Sequence, residues 1–146
     1  MTFLFLIQKR NLFLFNLIYY MNLIYDKSPN VQEMRPKDFK VTNLRNIEPK
    51  YNKPILIIFY AHWCPHCSNP TTVKFVESLA DVLPKKSNVK VSAFNCDYND
   101  KHRDIANNLG INSFPTIRYI NKNKKSADYR GPTDIKDILK FLIKNS

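Results

Sequence analysis

The sequence predicts an α/β fold, a central mixed β-sheet flanked by helices, on three observations. The stretch Ile55-Leu56-Ile57-Ile58-Phe59 is apolar at every position, which suits a strand covered on both faces. Segments with strand character alternate with segments of helical period along the rest of the chain, the pattern of layered α/β structure. The last two strand candidates, Thr116 to Ile120 and Ala127 to Tyr129, flank the turn-forming run Asn121 to Ser126, so they read as a hairpin that adds antiparallel pairing to the sheet.

Taken in order, Phe39 to Thr42 is a short strand, and Leu44 to Lys50 is a short helix or irregular turn ended by Pro49. Pro54 opens the central strand, which runs into His62-Trp63-Cys64-Pro65-His66-Cys67. A helix following these residues meets Pro70, which cannot supply the N–H that a continuous helix needs. The helix is therefore expected to kink or restart, with Asn69 as cap and Pro70 at the first position. Val73, Val76, Leu79, Ala80 and Leu83 then recur at helical spacing. Val89 to Phe94 alternates as a strand, Asp97 to Asp100 forms a turn, and Arg103 to Leu109 reads as a helix closed by Gly110. Thr133 is the expected cap of a final helix reaching Ile143.

The chain has 146 residues and a formal net charge of +11, enough for one domain of ordinary size. The excess lysines are scattered rather than gathered in a patch, so the charge does not point to nucleic acid. Residues 1–25 are rich in Phe, Leu, Ile and Tyr, interrupted by Gln8-Lys9-Arg10 and three asparagines. The run Leu12 to Tyr25 is shorter than the ~20 apolar residues of a spanning helix. Lys9-Arg10 before an apolar run resembles a secretory signal, but no small-residue cleavage site follows. Three readings stay open: a signal-anchor or poorly cleaved signal with membrane association, an upstream extension, or part of the folded domain. Residues 26–38, with Pro29 and Pro36, read as a linker, which leaves 39–146 as the domain.

Cys64 and Cys67 are spaced as one helical turn, which puts two sulfurs within reach of one disulfide. With Cys96 the chain has three cysteines, too few for a disulfide scaffold. Structural zinc draws on two short-spaced ligand pairs, and a second pair is missing, so neither a metal nor another cofactor is expected. Cys96, at the end of the third strand candidate, reads either as a buried small residue or as a regulatory third thiol.

Trp63-Cys64-Pro65-His66-Cys67 after Phe59-Tyr60-Ala61, together with Gly110-Ile111-Asn112-Ser113-Phe114-Pro115-Thr116-Ile117 about 50 residues on, resembles the thioredoxin superfamily. The first motif is similar to protein disulfide isomerase domains, and its inner Pro65-His66 is the dipeptide of the bacterial periplasmic disulfide oxidase. The resemblance implies a thioredoxin fold over roughly Phe39 to Ile143, and thiol-disulfide exchange with protein substrates that carry thiols or disulfides, served by a redox-recycling partner. It implies Cys64 as the attacking thiol, Cys67 as the resolving thiol and His66 as a stabiliser of the Cys64 thiolate. Pro115 carries over as a cis proline facing the cysteines, with Phe114, Trp63 and Pro65 shaping the substrate contact. Two departures stand out. The strand position where the family often has a buried acid, a proton acceptor for the inner cysteine, is Ile58. Near the cis-proline loop, where the isomerase branch tends to carry an arginine, stand Asn112 and Ser113. A second reading follows from the first departure: a thioredoxin-fold binding module with weak redox activity.

Overall fold

A computed structural model describes residues 8–14, 23–43 and 45–146. Its centre is a five-stranded sheet of β1 (Gln32–Glu33), β5 (Lys90–Asn95), β4 (Ile55–Tyr60), β6 (Thr116–Ile120) and β7 (Ser126–Tyr129), in that spatial order. β1, β5 and β4 run parallel, and β6 and β7 add antiparallel pairing on the far side. A separate two-stranded hairpin joins β2 (Phe39–Val41) to β3 (Ile47–Pro49). The helices are α1 (Pro65–Ser68), α2 (Pro70–Lys86), α3 (Asp100–Asn108) and α4 (Ile135–Lys144). This is the mixed sheet with flanking helices expected from the sequence.

β4 is buried along its whole length, as its unbroken apolar run requires, and its two faces feed two cores. On one face Leu56, Ile58 and Tyr60 pack with Val76, Leu79, Ala80 and Leu83 of α2 and with Ile138 and Leu142 of α4. On the other, Ile55, Ile57 and Phe59 pack with Phe94, Ile105, Ala106 and Ile111. Each large apolar side chain so buried contributes roughly 1.5–3 kcal/mol relative to exposure.

The restart after the cysteines occurs as expected: Asn69 is extended (φ −57°, ψ 129°), its Oδ1 accepts from Thr71 N at 2.9 Å, and Pro70 opens α2. Gly110 takes φ +70° just past α3, a left-handed conformation that glycine adopts without steric cost. The cap of α4 is Asp134 rather than Thr133; its Oδ1 accepts from Lys136 N at 2.7 Å. The segment before Tyr51 also differs. Ile47–Pro49 is a strand paired to Phe39–Val41, so the expected turn is half of a hairpin, and neither strand joins the main sheet.

The inner domain boundary needs correction. Residues 26–38 are not a linker, and the folded unit does not begin at Phe39. Tyr25, Val31 and Met34 are buried, and Gln32 and Glu33 pair with Ser92 and Ala93. Ser28 Oγ donates to Glu77 at 2.6 Å and Asn30 Nδ2 to Asp81 at 2.5 Å, fastening the segment to α2. Leu23 and Tyr25, assigned above to the hydrophobic N-terminal segment, likewise lie in the core. Most of that segment lies outside the described residues. Within it, 8–14 are helical with Leu12, Phe13 and Leu14 exposed. Among the described residues no helix is long and apolar enough to cross a membrane.

Candidate active site

β4 ends at Tyr60, and the chain turns through Ala61 to Trp63 to place Cys64 at the N-cap of α1. One turn on, Cys67 N donates to Cys64 O at 3.1 Å. Both cysteines are reduced and buried, but unequally: Cys64 retains 7% of its exposure and Cys67 only 1%. Pro65 and His66 between them are exposed.

The two sulfurs are electrostatically distinct. Burial works to raise the Cys64 thiol, but the backbone N–H groups of Cys67 and His66, with the Cys67 thiol, outweigh it and hold Cys64 below the ordinary thiol value. Burial pushes the Cys67 thiol up to about 12, the Ala61 backbone opposing and the neighbouring Cys64 adding to the rise. One sulfur is thus primed as a thiolate and the other kept protonated.

The Phe114–Pro115 peptide is cis, and the Phe114 carbonyl accepts from Cys64 Sγ at 3.8 Å. Phe114 meets Trp63 edge-on, with ring centroids 6.1 Å apart. His66 and Pro115 stand on one groove of about 450 Å³, together with Asn112, Ser113, Tyr129 and Arg130. The structure therefore brings Trp63, Cys64, His66, Phe114 and Pro115 to one rim, with Cys67 buried beneath and Pro65 on the exposed turn beside them. The link from His66 to Cys64 is its backbone N–H.

Asp97 went unnoticed in the sequence. The Trp63 indole Nε1 donates to its Oδ2 at 2.5 Å, and Arg103 donates to its Oδ1 at 2.8 Å. The Arg103 bond, with help from Trp63, holds the Asp97 carboxyl below the usual range. Asp97 thereby fixes the tryptophan, 59% exposed, beside the cysteine turn. The one sequence signal was its place at the end of the strand adjacent to β4. His62 faces Asn95, with Nδ1 3.2 Å from Nδ2. Cys96 is buried, and burial pushes its thiol up to about 12. Among the described residues no three His, Cys, Asp or Glu side chains converge as a metal site.

Fold and site together define a thioredoxin-fold chain with a Cys-x-x-Cys at the exit of its central strand. The thioredoxin family model matches residues 31–144, and the chain belongs to that family. It is 35% identical over 101 residues to "Protein disulfide isomerase-like 2-2" of Oryza sativa subsp. japonica, an alignment covering 68% of this chain and 26% of the relative. To "Protein disulfide-isomerase tigA" of Aspergillus niger it is 30% identical over 130 residues, covering 87% and 33%. The chain thus spans about a quarter to a third of these relatives and is a thioredoxin domain homologous to theirs. Among solved structures, the J-Trx1 fragment of ERdj5 superposes with a TM-score of 0.63 at 18% identity, over 83% of this chain and 52% of that one. The Trx4 domain of ERdj5 gives 0.56 at 21% identity, over 80% and 95%.

Proposed function

We propose that this chain is a thiol-disulfide oxidoreductase of the disulfide isomerase type, working through its Cys-Pro-His-Cys site on protein substrates. The observation that carries the reading is the opposed tuning of the two sulfurs, Cys64 low at the rim and Cys67 high beneath it. In reduction, the Cys64 thiolate attacks a substrate disulfide, forming a mixed disulfide and releasing one substrate sulfur. Cys67 then attacks Cys64 Sγ, losing its proton; the second substrate sulfur leaves and the Cys64–Cys67 disulfide closes. Run backwards, the same steps donate a disulfide, and a recycling partner restores the starting state.

An extended substrate segment fits the groove beside Pro115, with Trp63 and Phe114 supplying an apolar edge. In this reading the His66 side chain, at the groove mouth, favours the thiolate form of Cys64 and makes the disulfide more oxidising. The apolar residues preceding Leu23 fit a signal-anchor that would attach the domain to a membrane. Mass spectrometry of the N-terminus of the cell-derived protein decides between that and an upstream extension.

Refolding of scrambled ribonuclease and reduction of insulin test the activity. Cys64→Ser should abolish both. Cys67→Ser should leave the first step intact, so that mixed disulfides accumulate on Cys64. Activity unaffected by Cys64→Ser would end this reading, and folded Cys67→Ser that captures no substrate under oxidising conditions would favour a binding module.

A further inference from the structure

Resolution requires Cys67, a buried thiol held protonated by its surroundings, to release a proton at the moment it attacks. The β4 residue Ile58 shares its buried cluster and can accept nothing. The sheet register supplies another carboxyl in the same row. Ile58 pairs with Ala93 of β5, and Ala93 pairs with Glu33 of β1. Parallel partners share a face, so Glu33 stands on the Cys67 side of the sheet, two strands or about 10 Å from the Ile58 position. The residue between them is a small one, Ala93.

Glu33 is built into this core. Its Oε1 accepts from the Tyr60 hydroxyl at 2.6 Å and from Tyr25 N at 2.9 Å. Its Oε2 is buried with no hydrogen-bond partner, an arrangement that costs free energy and calls for an explanation. Tyr60 is fully buried and precedes Ala61, whose backbone N–H reaches the Cys67 sulfur. Tyr25, 1% exposed, meets Tyr60 edge-on at 5.7 Å. Its phenol lies within electrostatic reach of both Cys67 and Glu33. Both tyrosines share one apolar cluster with Cys64 and Cys67.

We propose that Glu33 is the proton acceptor for Cys67 in the resolving step. The inference rests on the oxidoreductase reading. In the step, the Cys67–H bond breaks and Cys67 Sγ bonds to Cys64 Sγ. The bond between Cys64 and substrate sulfur breaks, and that sulfur leaves with the electron pair. The Cys67 proton ends on Glu33, which becomes a neutral acid. The dithiol is oxidised and the substrate disulfide reduced. Burial, outweighing the Tyr60 and Tyr25 bonds, raises the Glu33 carboxyl to about 7, a value suited to exchanging a proton near neutrality. The titratable groups around this cluster are Asp26 and Tyr25 from the preceding segment, Tyr60 from β4, Glu77 from α2, and Cys67.

The test uses the whole reduced chain and one equivalent of dithiobis(nitrobenzoate), a chromogenic aryl disulfide. Release of the first coloured thiol reports attack by Cys64, and release of the second reports resolution by Cys67. In the unaltered chain the second rate should rise with pH through an inflection near 7. Glu33→Gln should leave the first phase unchanged, abolish that inflection and slow the second phase at least tenfold, toward the roughly 10²–10⁴-fold that a positioned base contributes. Glu33→Asp should keep the inflection. Tyr60→Phe, which retains the ring and removes the hydroxyl bonded to Glu33, should shift that inflection to higher pH, and it decides the matter if Glu33→Gln does not fold. A folded Glu33→Gln or Tyr60→Phe with the rate and pH profile of the unaltered chain overturns the assignment. Failure of the unaltered chain to release the first thiol would instead overturn the oxidoreductase reading, and this inference with it.

Discussion

Alkylation of the reduced chain by iodoacetamide at pH 7 should fall on Cys64 and spare Cys67 and Cys96, by a margin that follows from the site. A thiol at the reference value of 9.0 is about 1% thiolate at pH 7. Cys64 is held below that value, so its fraction is at least that. Cys67 and Cys96, pushed up to about 12, are thiolates to only about 1 part in 10⁵ at pH 7. The population advantage of Cys64 is therefore about 1,000-fold or more. Against it stands intrinsic nucleophilicity, which grows with basicity at a Brønsted slope of about 0.4–0.5 and returns a factor of about 20 over the same interval. A net preference of about 50-fold remains, before the near-complete burial of Cys67 and Cys96 is considered. Brief alkylation, quenching and peptide mass spectrometry across pH 5 to 9 measure it. Cys64 modification should show a midpoint below 9.0. Comparable labelling of Cys67, or a Cys64 midpoint at or above that of a free thiol, would refute the assignment of opposed tuning.

Three further outcomes are expected. Because burial raises Glu33 to about 7 from the ordinary 4.5, the folded state binds its proton more tightly than the unfolded one. The stability this confers is complete below about 4.5 and declines as pH rises to about 7, by up to about 3 kcal/mol at 1.36 kcal/mol per pH unit. Urea melts of the reduced protein at pH 4.5 and 7.5 should show that decline, and Glu33→Gln should flatten it; an equally steep decline in the variant would contradict the shift. His66→Gly should make the disulfide less oxidising by about 30 mV or more, the equivalent of about 1.4 kcal/mol, if the imidazole favours the Cys64 thiolate. A glutathione redox titration reads this, and an unmoved potential would leave the backbone N–H groups as sufficient. Removal of residues 1–38 strips Tyr25, Val31, Met34 and β1 from the core and should cost several kcal/mol more than removal of 1–22. Equal stability of the two truncations, by thermal or urea melt, would contradict the packing described.

The central strand, the cysteine turn and the proline loop were legible because each carries its cause locally. An apolar run has to be covered, a proline has to start a helix, and Gly110 has to close one. The N-terminal edge was not legible. β1 is two residues long, both polar, and lies between Pro29 and Pro36, so no periodicity can distinguish it from a linker. Only its register against Ser92 and Ala93 makes it a strand. Glu33 reads along the chain as a surface charge, and its burial is decided by Tyr25 and Tyr60, 8 and 27 residues away. Ile47–Pro49 was missed for a related reason: a strand ending in proline suits only an edge, and that is where the isolated hairpin puts it. Asp97 sits in a turn, and nothing short of the fold brings it to Trp63.

The break at Asn69 bears on how far the site can be tuned from a distance. Had the chain continued smoothly from α1 into α2, aligned peptide dipoles along a helix of some twenty residues would have converged on Cys64. Instead the four residues of α1 end at an extended Asn69, and the long helix begins anew at Pro70. Cys64 is therefore served by nearest neighbours, the N–H groups of His66 and Cys67, whose influence fades within a turn. Charges far along α2, such as Lys85 and Lys86, are free to drift in evolution without retuning the sulfur, while the dipeptide Pro65-His66 concentrates that sensitivity in two positions.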